Sequence, residues 1–317
     1  MSVRRRAHGG LSLGLGIVVL LVATACIGGD SVVAPPGPYL GQIPPGMKPE
    51  VFASGVVSKN RNEVSCSFTP DGREFYFGVF EPGRGYTILV TTEIGSGWRT
   101  PRPAPFSSVF SEIDTFITTN GKRLFFISKR PAADGAESSP AYQVWVTDRR
   151  RNGWGPPHRL GPAVNSGERE LFPTLSADGT IVFGSNRSGG YGGCDIYTAS
   201  PDGSDFKQPV NLGPAINSAN DETDALIAPD GGFLVFTAVG REDGHGDGDL
   251  YVSFRDPHGG WLPAVNMGET INTPYSEFGP ALSPDGEYFF FTSNREGTDD
   301  IFWVDASVIY SFRAESP

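Results

Sequence analysis

A sequence unit that occurs five times constrains the fold of this 317-residue chain more than any other feature. Each copy contains an Asp-Gly or Asn-Gly dipeptide, and successive dipeptides are 49 to 58 residues apart. A repeat of this length accommodates four short strands, which is the size of one propeller blade. The dipeptides begin at Asp71, Asn120, Asp178, Asp230 and Asp285.

Each copy carries the same residue types at fixed distances from its turn. A glutamate stands eight residues before the turn residue, an apolar residue stands three before it, and an apolar run ending in phenylalanine follows. The last copy reads SEFGPALSPDGEYFFF. Agreement at several offsets indicates a structural repeat and not five unrelated hairpins. The glutamates are Glu63, Glu112, Glu170, Glu222 and Glu277.

The turns and the apolar runs together predict four-stranded blades. Asp-Gly and Asn-Gly permit the positive φ of a two-residue hairpin, and the apolar run after the turn is typical of a strand buried on both faces. The fourth strand is expected to be an outer edge strand, because prolines follow its start and edge strands tolerate a missing N–H. We therefore predict an all-β, five-bladed propeller. The expected fourth strands start at Gly97, Gly153, Asp205 and Gly260.

Four copies, and not all five, are followed by such a fourth strand. We predict that the N-terminal segment around VFASGVVSKNRN supplies the outer strand of the last blade. Closing the ring in this way removes exposed strand edges, which invite aggregation. The competing interpretation uses VIYSFR, residues 308–313, as the missing strand. In both interpretations the propeller occupies residues 48–317.

The first 47 residues are predicted to lie outside the propeller. Residues 1–25 combine three arginines with an apolar run, which is the pattern of a secretory signal peptide. The stretch VATAC, ending at Cys26, resembles a bacterial lipobox with Ala23 where leucine is preferred, and the resemblance implies that Cys26 is lipidated. The alternative is an ordinary signal peptide with an incidental cysteine. Residues 26–47 are rich in Gly and Pro and are expected to form a flexible tether.

The charge and the cysteine count exclude two classes of protein. The formal net charge is −11, and an acidic protein is repelled by the phosphates of nucleic acid, so no nucleic-acid partner is expected. Beyond Cys26 the chain has two cysteines, Cys66 and Cys194, which permit one disulfide and not a disulfide scaffold. The fold must therefore depend on its hydrophobic core.

The repeat resembles that of a known family. The stretches ALSPDGEYFFFTSNREGTDDIFWV and TLSADGTIVFGSNRSGGYGGCDIYTA resemble the Pro-Asp variant of the WD-like β-propeller repeat, found in TolB-like proteins and in many bacterial envelope lipoproteins. The resemblance covers residues 50–306 and is weaker in the first two copies, where Asn120 replaces aspartate and no Ser-Asn-Arg follows Phe77. It implies a propeller and an exported outer-membrane lipoprotein, on the periplasmic side or the cell surface. It implies no single activity.

The five glutamates and the arginines that follow the second strands form the first candidate site. In propellers the connections before first strands and after second strands lie on one face, so we expect these side chains to meet near the channel mouth. They are interpreted either as a polar binding face or as repeated structural Glu–Arg contacts, and symmetry favours the structural interpretation. The arginines are Arg130, Arg187, Arg241 and Arg295, with Arg84 as a fifth candidate.

Residues that break the symmetry are better candidates for catalysis. Two residues after the glutamate, Asp114 and Asp224 occupy a position that holds Ser, Phe or Gly in the other copies. Two carboxyl groups can act as acid and base if they lie at a suitable distance. The alternative is that both are solvated loop acids.

One loop has an acidic pattern that faintly resembles a calcium loop. Asp243, His245, Asp247 and Asp249 stand at alternating positions, but the twelfth position of the loop is Phe254 where an EF-hand carries an acid. We expect no cofactor, with calcium as the one possible exception.

The sequence therefore favours a binding protein over an enzyme. The leading hypothesis is a lipid-anchored propeller that binds an envelope protein, a peptide or a glycan, since no complete catalytic constellation is apparent. The alternative hypothesis is a glycan-active hydrolase or lyase with acidic residues at the channel mouth.

Overall fold

The computed structural model describes residues 31–131 and 137–313 and confirms the five-bladed propeller. Each blade is an antiparallel sheet whose first, innermost strand follows the repeated glutamate. The first strands are Glu63–Phe68, Glu112–Ile117, Glu170–Leu175, Asp221–Ile227 and Glu277–Leu282. The second strands are Glu74–Glu81, Arg123–Ser128, Ile181–Ser185, Phe233–Val239 and Tyr288–Ser293. The third strands are Gly85–Ile94, Gln143–Arg150, Asp195–Ala199, Asp249–Phe254 and Asp300–Asp305.

The fourth strands are shorter and more broken than predicted. In three of the blades the chain turns back after the third strand and pairs at the expected aromatic residue. Proline then interrupts the pairing, because it cannot donate to the ladder, and a second short piece pairs beyond it. In blade 4 a single bridge between Arg255 and Trp261 replaces the first of these pairings. The outer pieces are Gly97–Arg99, Arg102–Pro103, Gly153–Trp154, His158–Arg159, Asp205–Phe206, Val210–Asn211 and Val265–Asn266, with Pro201–Asp202 pairing Asp205–Phe206.

The N-terminal segment closes the ring, as predicted. Strand Glu50–Val51 pairs antiparallel with Asp300–Asp305, with Glu50 opposite Trp303 and Val51 opposite Phe302. The competing interpretation is wrong, because residues 307–310 form a short helix whose Val308 and Ile309 are buried against blade 4 and blade 5. The other helical elements are Pro38–Gly41 and Gly268–Ile271.

The segment expected to be a flexible tether is packed against the propeller over its described part. Strand Val32–Ala34 pairs with the outer strand of blade 1, and Tyr39 and Leu40 are buried in the cluster between blades 1 and 5. The Tyr39 hydroxyl also donates to Asp285. Tyr39 and Leu40 provide apolar surface that Gly and Pro content alone did not reveal. The predicted signal peptide and Cys26 lie outside the described residues.

The hydrophobic core lies between neighbouring blades. The phenylalanines that end the apolar runs, Phe77, Phe126, Phe183, Phe236 and Phe291, are each at most 1% exposed. Cys66 and Cys194 are buried and unpaired, so the single disulfide that the sequence permits does not form. Within the described ranges, no helix is long and apolar enough to cross a membrane.

Candidate functional site in the central channel

The repeated glutamates are buried and hold the loop that precedes each first strand. In blade 5, Glu277 Oε1 accepts from the hydroxyls of Thr273 (2.7 Å) and Ser293 (2.6 Å) and from Arg295 (3.1 Å). Its Oε2 accepts from the backbone N–H of Thr273 at 2.7 Å. One carboxylate thereby connects the loop before the first strand to the end of the second strand.

The same arrangement recurs, with a departure in blade 1. Glu63 is paired with Arg61 at 3.2 Å, whereas Arg84 bonds to Glu81. All five glutamates are at most 1% exposed and are hydrogen-bonded, which favours the structural interpretation of these side chains over a polar binding face. The other pairs are Glu112–Arg130 (2.6 Å), Glu170–Arg187 (3.4 Å), Glu222–Arg241 (2.8 Å) and Glu277–Arg295 (3.1 Å).

Each first strand contains a bulge two residues after its glutamate. The strand register shifts there in every blade, and the residue adopts a left-handed backbone with φ between 46° and 62°. These residues stand at equivalent positions around the channel, with contacts between Ser65 and Asp114, Asp114 and Phe172, Asp224 and Gly279, and Gly279 and Ser65, and we call them the bulge ring. Its members are Ser65, Asp114, Phe172, Asp224 and Gly279.

Two acids of the bulge ring are electrostatically coupled, although blade 3 stands between their blades. Asp114 Oδ1 accepts from the Ser65 hydroxyl at 2.9 Å and the carboxyl also accepts from the backbone of Phe172, while Asp224 accepts from the backbone of Gly279. Burial among protein atoms, together with the charge of Asp224, raises the pKa of Asp114 to about 8. Burial raises the pKa of Asp224 to about 6. Both carboxyls therefore hold a proton more strongly than an ordinary aspartate does.

Two tyrosines and a further acid stand near the carboxyl pair. Burial, with the charges of Asp299 and Asp114, raises the pKa of Tyr86 to about 12. The Ser111 hydroxyl bonds to the Tyr142 hydroxyl at 2.6 Å and accepts from the Tyr86 N–H at 2.9 Å. These residues lie at the ends of the strands on the face that carries the glutamates, which we call the glutamate face. Aromatic and carboxyl groups together are suited to proton transfer or to polar ligands.

Substituting Asp114 with asparagine is expected to stabilise the protein at alkaline pH. The pKa of Asp114 in the folded state lies above that of an unfolded chain, so its ionisation destabilises the fold as the pH rises from about 4 to about 8. The asparagine side chain in this variant would still accept from Ser65. We expect Asp114→Asn to unfold with a free energy about 1–3 kcal/mol higher at pH 8.5 and unchanged near pH 4. Urea titrations at both pH values test this.

The control for this experiment is Asp202→Asn at an exposed outer position. That variant also removes one carboxylate charge, but from a solvent-exposed position. Its free energy of unfolding is therefore expected to equal that of the wild type at both pH values. A stability gain of Asp114→Asn that is equal at pH 4 and pH 8.5 would contradict the raised pKa.

The acidic loop of blade 4 is braced by its own carboxylates. Asp249 is buried and accepts two loop N–H groups, at 2.9 and 3.2 Å, and Asp243 accepts from the Tyr251 hydroxyl at 2.6 Å. Asp195 bonds to the corresponding loop of blade 3 in the same way. These acids and Asp247 do not form a three-ligand group, and none occurs in the described part of the chain. The acidic pattern thus stabilises a hairpin.

The opposite end of the channel contains an apolar cavity that the sequence did not predict. It has a volume of about 110 Å³, opens on the face that carries the Asp-Gly turns (the turn face), and is lined by first strands of all five blades. Thr115 lines the cavity and is 7% exposed, and its buried hydroxyl has no hydrogen-bond partner among the described residues. The apolar lining includes Phe68, Phe116, Phe172, Leu175, Leu226 and Leu282.

No protein-family model and no curated protein matches the sequence. Among solved structures, the catalytic domain of a Coprinopsis cinerea GH62 α-L-arabinofuranosidase matches with a TM-score of 0.54 and 11% identity, over 82% of this chain and 97% of that one. The endo-arabinase of Bacteroides thetaiotaomicron VPI-5482 gives 0.51 and 14%, over 79% and 95%. TolB from Acinetobacter baumannii gives 0.46 and 16%, over 78% of this chain and 55% of TolB, so this chain spans about half of TolB. The matches to the arabinofuranosidase and the endo-arabinase show a shared fold alone, and a shared fold assigns no activity.

Proposed function

We propose that this protein is a non-catalytic recognition module that binds a partner in the apolar cavity on its turn face. The observation that carries the proposal is the cavity itself, which is apolar, is built by all five blades, and is lined by Thr115, whose buried hydroxyl has no partner among the described residues. A well-formed apolar cavity with few polar groups is the usual form of a ligand site, and the unmet hydroxyl offers a donor for ligand orientation.

A neutral apolar dye such as Nile red is expected to bind the protein saturably, and Thr119→Trp is expected to weaken this binding at least tenfold. Thr119 is exposed at the rim of the cavity, so the larger side chain obstructs entry without disturbing the core. Fluorescence titration measures the affinity. The matched control is Val109→Trp, which adds the same indole at a position that is 77% exposed and lies on the glutamate face.

A second variant separates binding from stability. Thr115→Val removes a buried hydroxyl that bonds to nothing described, so stability is expected to stay constant or to rise by about 1 kcal/mol, while the affinity for a hydrogen-bonding ligand falls. Dye binding that does not saturate, or a dye affinity that is unchanged in Thr119→Trp, would refute the cavity as the binding site.

We further propose that the protein is exported and held on the outer membrane by a lipid on Cys26. The support is the basic and apolar N-terminal pattern that ends at this cysteine. Expressed in a Gram-negative host, Cys26→Ala is expected to move the protein from the membrane to the soluble fraction, because a signal peptide alone leaves no lipid. A Cys66→Ala variant is the control, and unchanged fractionation of Cys26→Ala would contradict the anchor.

A second candidate function is glycan hydrolysis or elimination at the glutamate face. The observation that favours it is the coupled pair of Asp114 and Asp224 beside Tyr86 and Tyr142. The protonated carboxyl would donate to a leaving oxygen while the ionised one activates water. Release of reducing ends from a panel of polysaccharides tests this candidate. Activity that disappears in both Asp114→Asn and Asp224→Asn would establish it, and the absence of any activity would leave recognition as the function.

A further inference from the structure

We infer that the ligand of the turn face is an extended peptide segment that places a large apolar side chain in the cavity beside a basic residue. The inference rests on the proposed recognition function and names the class of its ligand. It depends on three independent features of the turn face, which are the grooves around the cavity, two unpartnered donors, and the charge of the turns.

The cavity continues into grooves that run between neighbouring turns. The groove between blades 3 and 4 shares Ile227 and Pro229 with the cavity, and the groove between blades 4 and 5 shares Leu282 and Pro284 with it. A third groove, between blades 5 and 1, shares Phe68 with the cavity. A compact small molecule would fill the cavity and leave the grooves empty. An extended chain can enter by one groove, place a side chain in the cavity and leave by another.

Two buried donors just beneath this surface lack hydrogen-bond partners among the described residues. One is the hydroxyl of Thr115, which lines the cavity, and the other is Nε1 of Trp261, which lines the groove between blades 3 and 4. The Arg255 guanidinium lies 3.9 Å from the centroid of the Trp261 ring and holds the indole in place. Because an indole N–H can only donate, its ligand must bring an acceptor. A peptide carries a carbonyl at every residue, whereas an acyl chain carries none along its length.

The turns that border this groove carry negative charge. Asp178 and Asp230 are both exposed at its edges, and Asp178 Oδ1 accepts the Ser176 hydroxyl at 2.6 Å, which holds the pKa of Asp178 below its usual range. Arg255 is the one cation lining the groove in the part of the chain that the structure describes, and it is stacked on Trp261. The net charge of the whole chain is −11. Lysine or arginine beside the apolar anchor is therefore favoured, and anionic lipid headgroups are disfavoured.

Fluorescence anisotropy with three labelled nine-residue peptides tests the ligand class. Each peptide has a central tryptophan in a Gly-Ser context, flanked by lysine, glycine or glutamate. We expect the lysine peptide to bind at least tenfold more tightly than the glutamate peptide at low salt, with a smaller difference at 0.5 M salt. The double variant Asp178→Asn/Asp230→Asn is expected to remove this preference. Trp261→Phe, which keeps a ring under Arg255 but loses the donor, is expected to weaken all three peptides about threefold or more.

The chain supplies the controls for these variants. Asn120 occupies the same turn position in blade 2 and accepts from Thr118 and from the Lys122 N–H at 2.8 and 3.0 Å, so asparagine is compatible with the turn. Glu269→Gln/Glu296→Gln removes the same charge from the glutamate face and is expected to leave peptide binding unchanged.

Each outcome decides between the two proposals. Saturable Nile red binding without binding of any peptide would overturn the peptide class and leave the recognition function standing. The same conclusion would follow if dodecanoate, a fatty-acid probe, bound and the peptides did not. Equal affinity for the lysine and glutamate peptides would also overturn it. Failure of both dye and peptides to bind would refute the recognition function itself.

Discussion

Replacing Phe52 with alanine is expected to lower the free energy of unfolding by about 3–5 kcal/mol, because truncating a fully buried phenylalanine loses the transfer free energy of the ring and leaves a cavity. Phe52 is 0% exposed and joins the two ends of the ring. Its ring centroid lies 5.1 Å from that of Phe75 in blade 1 and 5.1 Å from those of Phe290 and Trp303 in blade 5. The substitution therefore weakens the seam at which the N-terminal strand closes the propeller.

Urea denaturation, followed by tryptophan fluorescence, measures the loss for Phe52→Ala. Ile43→Ala is the matched control, since Ile43 belongs to the same N-terminal segment and is 89% exposed. Opening at the seam should also expose the edge of blade 5, so we expect limited proteolysis to cut the variant first between residues 43 and 62. A loss below about 1 kcal/mol would mean that the ring is closed by other contacts.

The architecture could be predicted because the same unit occurs five times in the chain. The turn dipeptides and the apolar runs predicted five blades. Since four of them are followed by an aromatic fourth strand, the outer strand of the fifth blade had to come from another part of the chain. The exact strand was harder to predict. The N-terminal segment contains several apolar residues, any of which periodicity would allow in the strand. In the structure Glu50 lies opposite Trp303, and this register places Phe52 against the Trp303 ring. That choice is made by packing, which periodicity does not record.

The candidate site was only partly predictable, because it depends on backbone geometry at the bulge. Comparing the copies singled out Asp114 and Asp224 as the positions that differ. Both residues adopt a left-handed conformation, with φ of 57° and 49°, and no residue type in the motif signals their coupling across blade 3. The cavity had a weak signal in the apolar residue three before each turn. Its open volume depends on how five first strands diverge, which is a tertiary property.

The two faces of the propeller differ in a way that the repeat alone would not produce. Each blade uses its buried glutamate for the same structural purpose, so that side chain is unavailable for ligands on the glutamate face. Function must therefore reside in positions where the blades differ. On the glutamate face these positions are the two acids of the bulge ring, and on the turn face the position is Thr115, which the other copies replace with Cys, Pro or Ala.

Replacing Glu277 with alanine is expected to lower the free energy of unfolding by about 3–5 kcal/mol. The carboxylate is 0% exposed, and its removal leaves Arg295, at 17% side-chain exposure, without its charge partner. The Thr273 N–H and the Ser293 hydroxyl also lose their acceptor in a partly buried site. The cost is expected to exceed that of a surface ion pair, which is about 0–1 kcal/mol, because the remaining polar groups stay buried and unpaired.

Thermal and urea denaturation of Glu277→Ala and Glu277→Gln separate the charge from the shape. Glutamine keeps the volume and one acceptor oxygen but turns an amide toward the Thr273 N–H, so we expect an intermediate loss of stability. Glu269→Ala, at an exposed position of the same connection, is the control and should change stability by less than about 0.5 kcal/mol. If Glu277→Ala folded with wild-type stability and instead lost ligand binding, the glutamates would belong to a binding site after all. A large loss of stability with dye and peptide binding retained in the folded fraction would confirm that the repeated glutamate supports the fold while the turn face carries recognition.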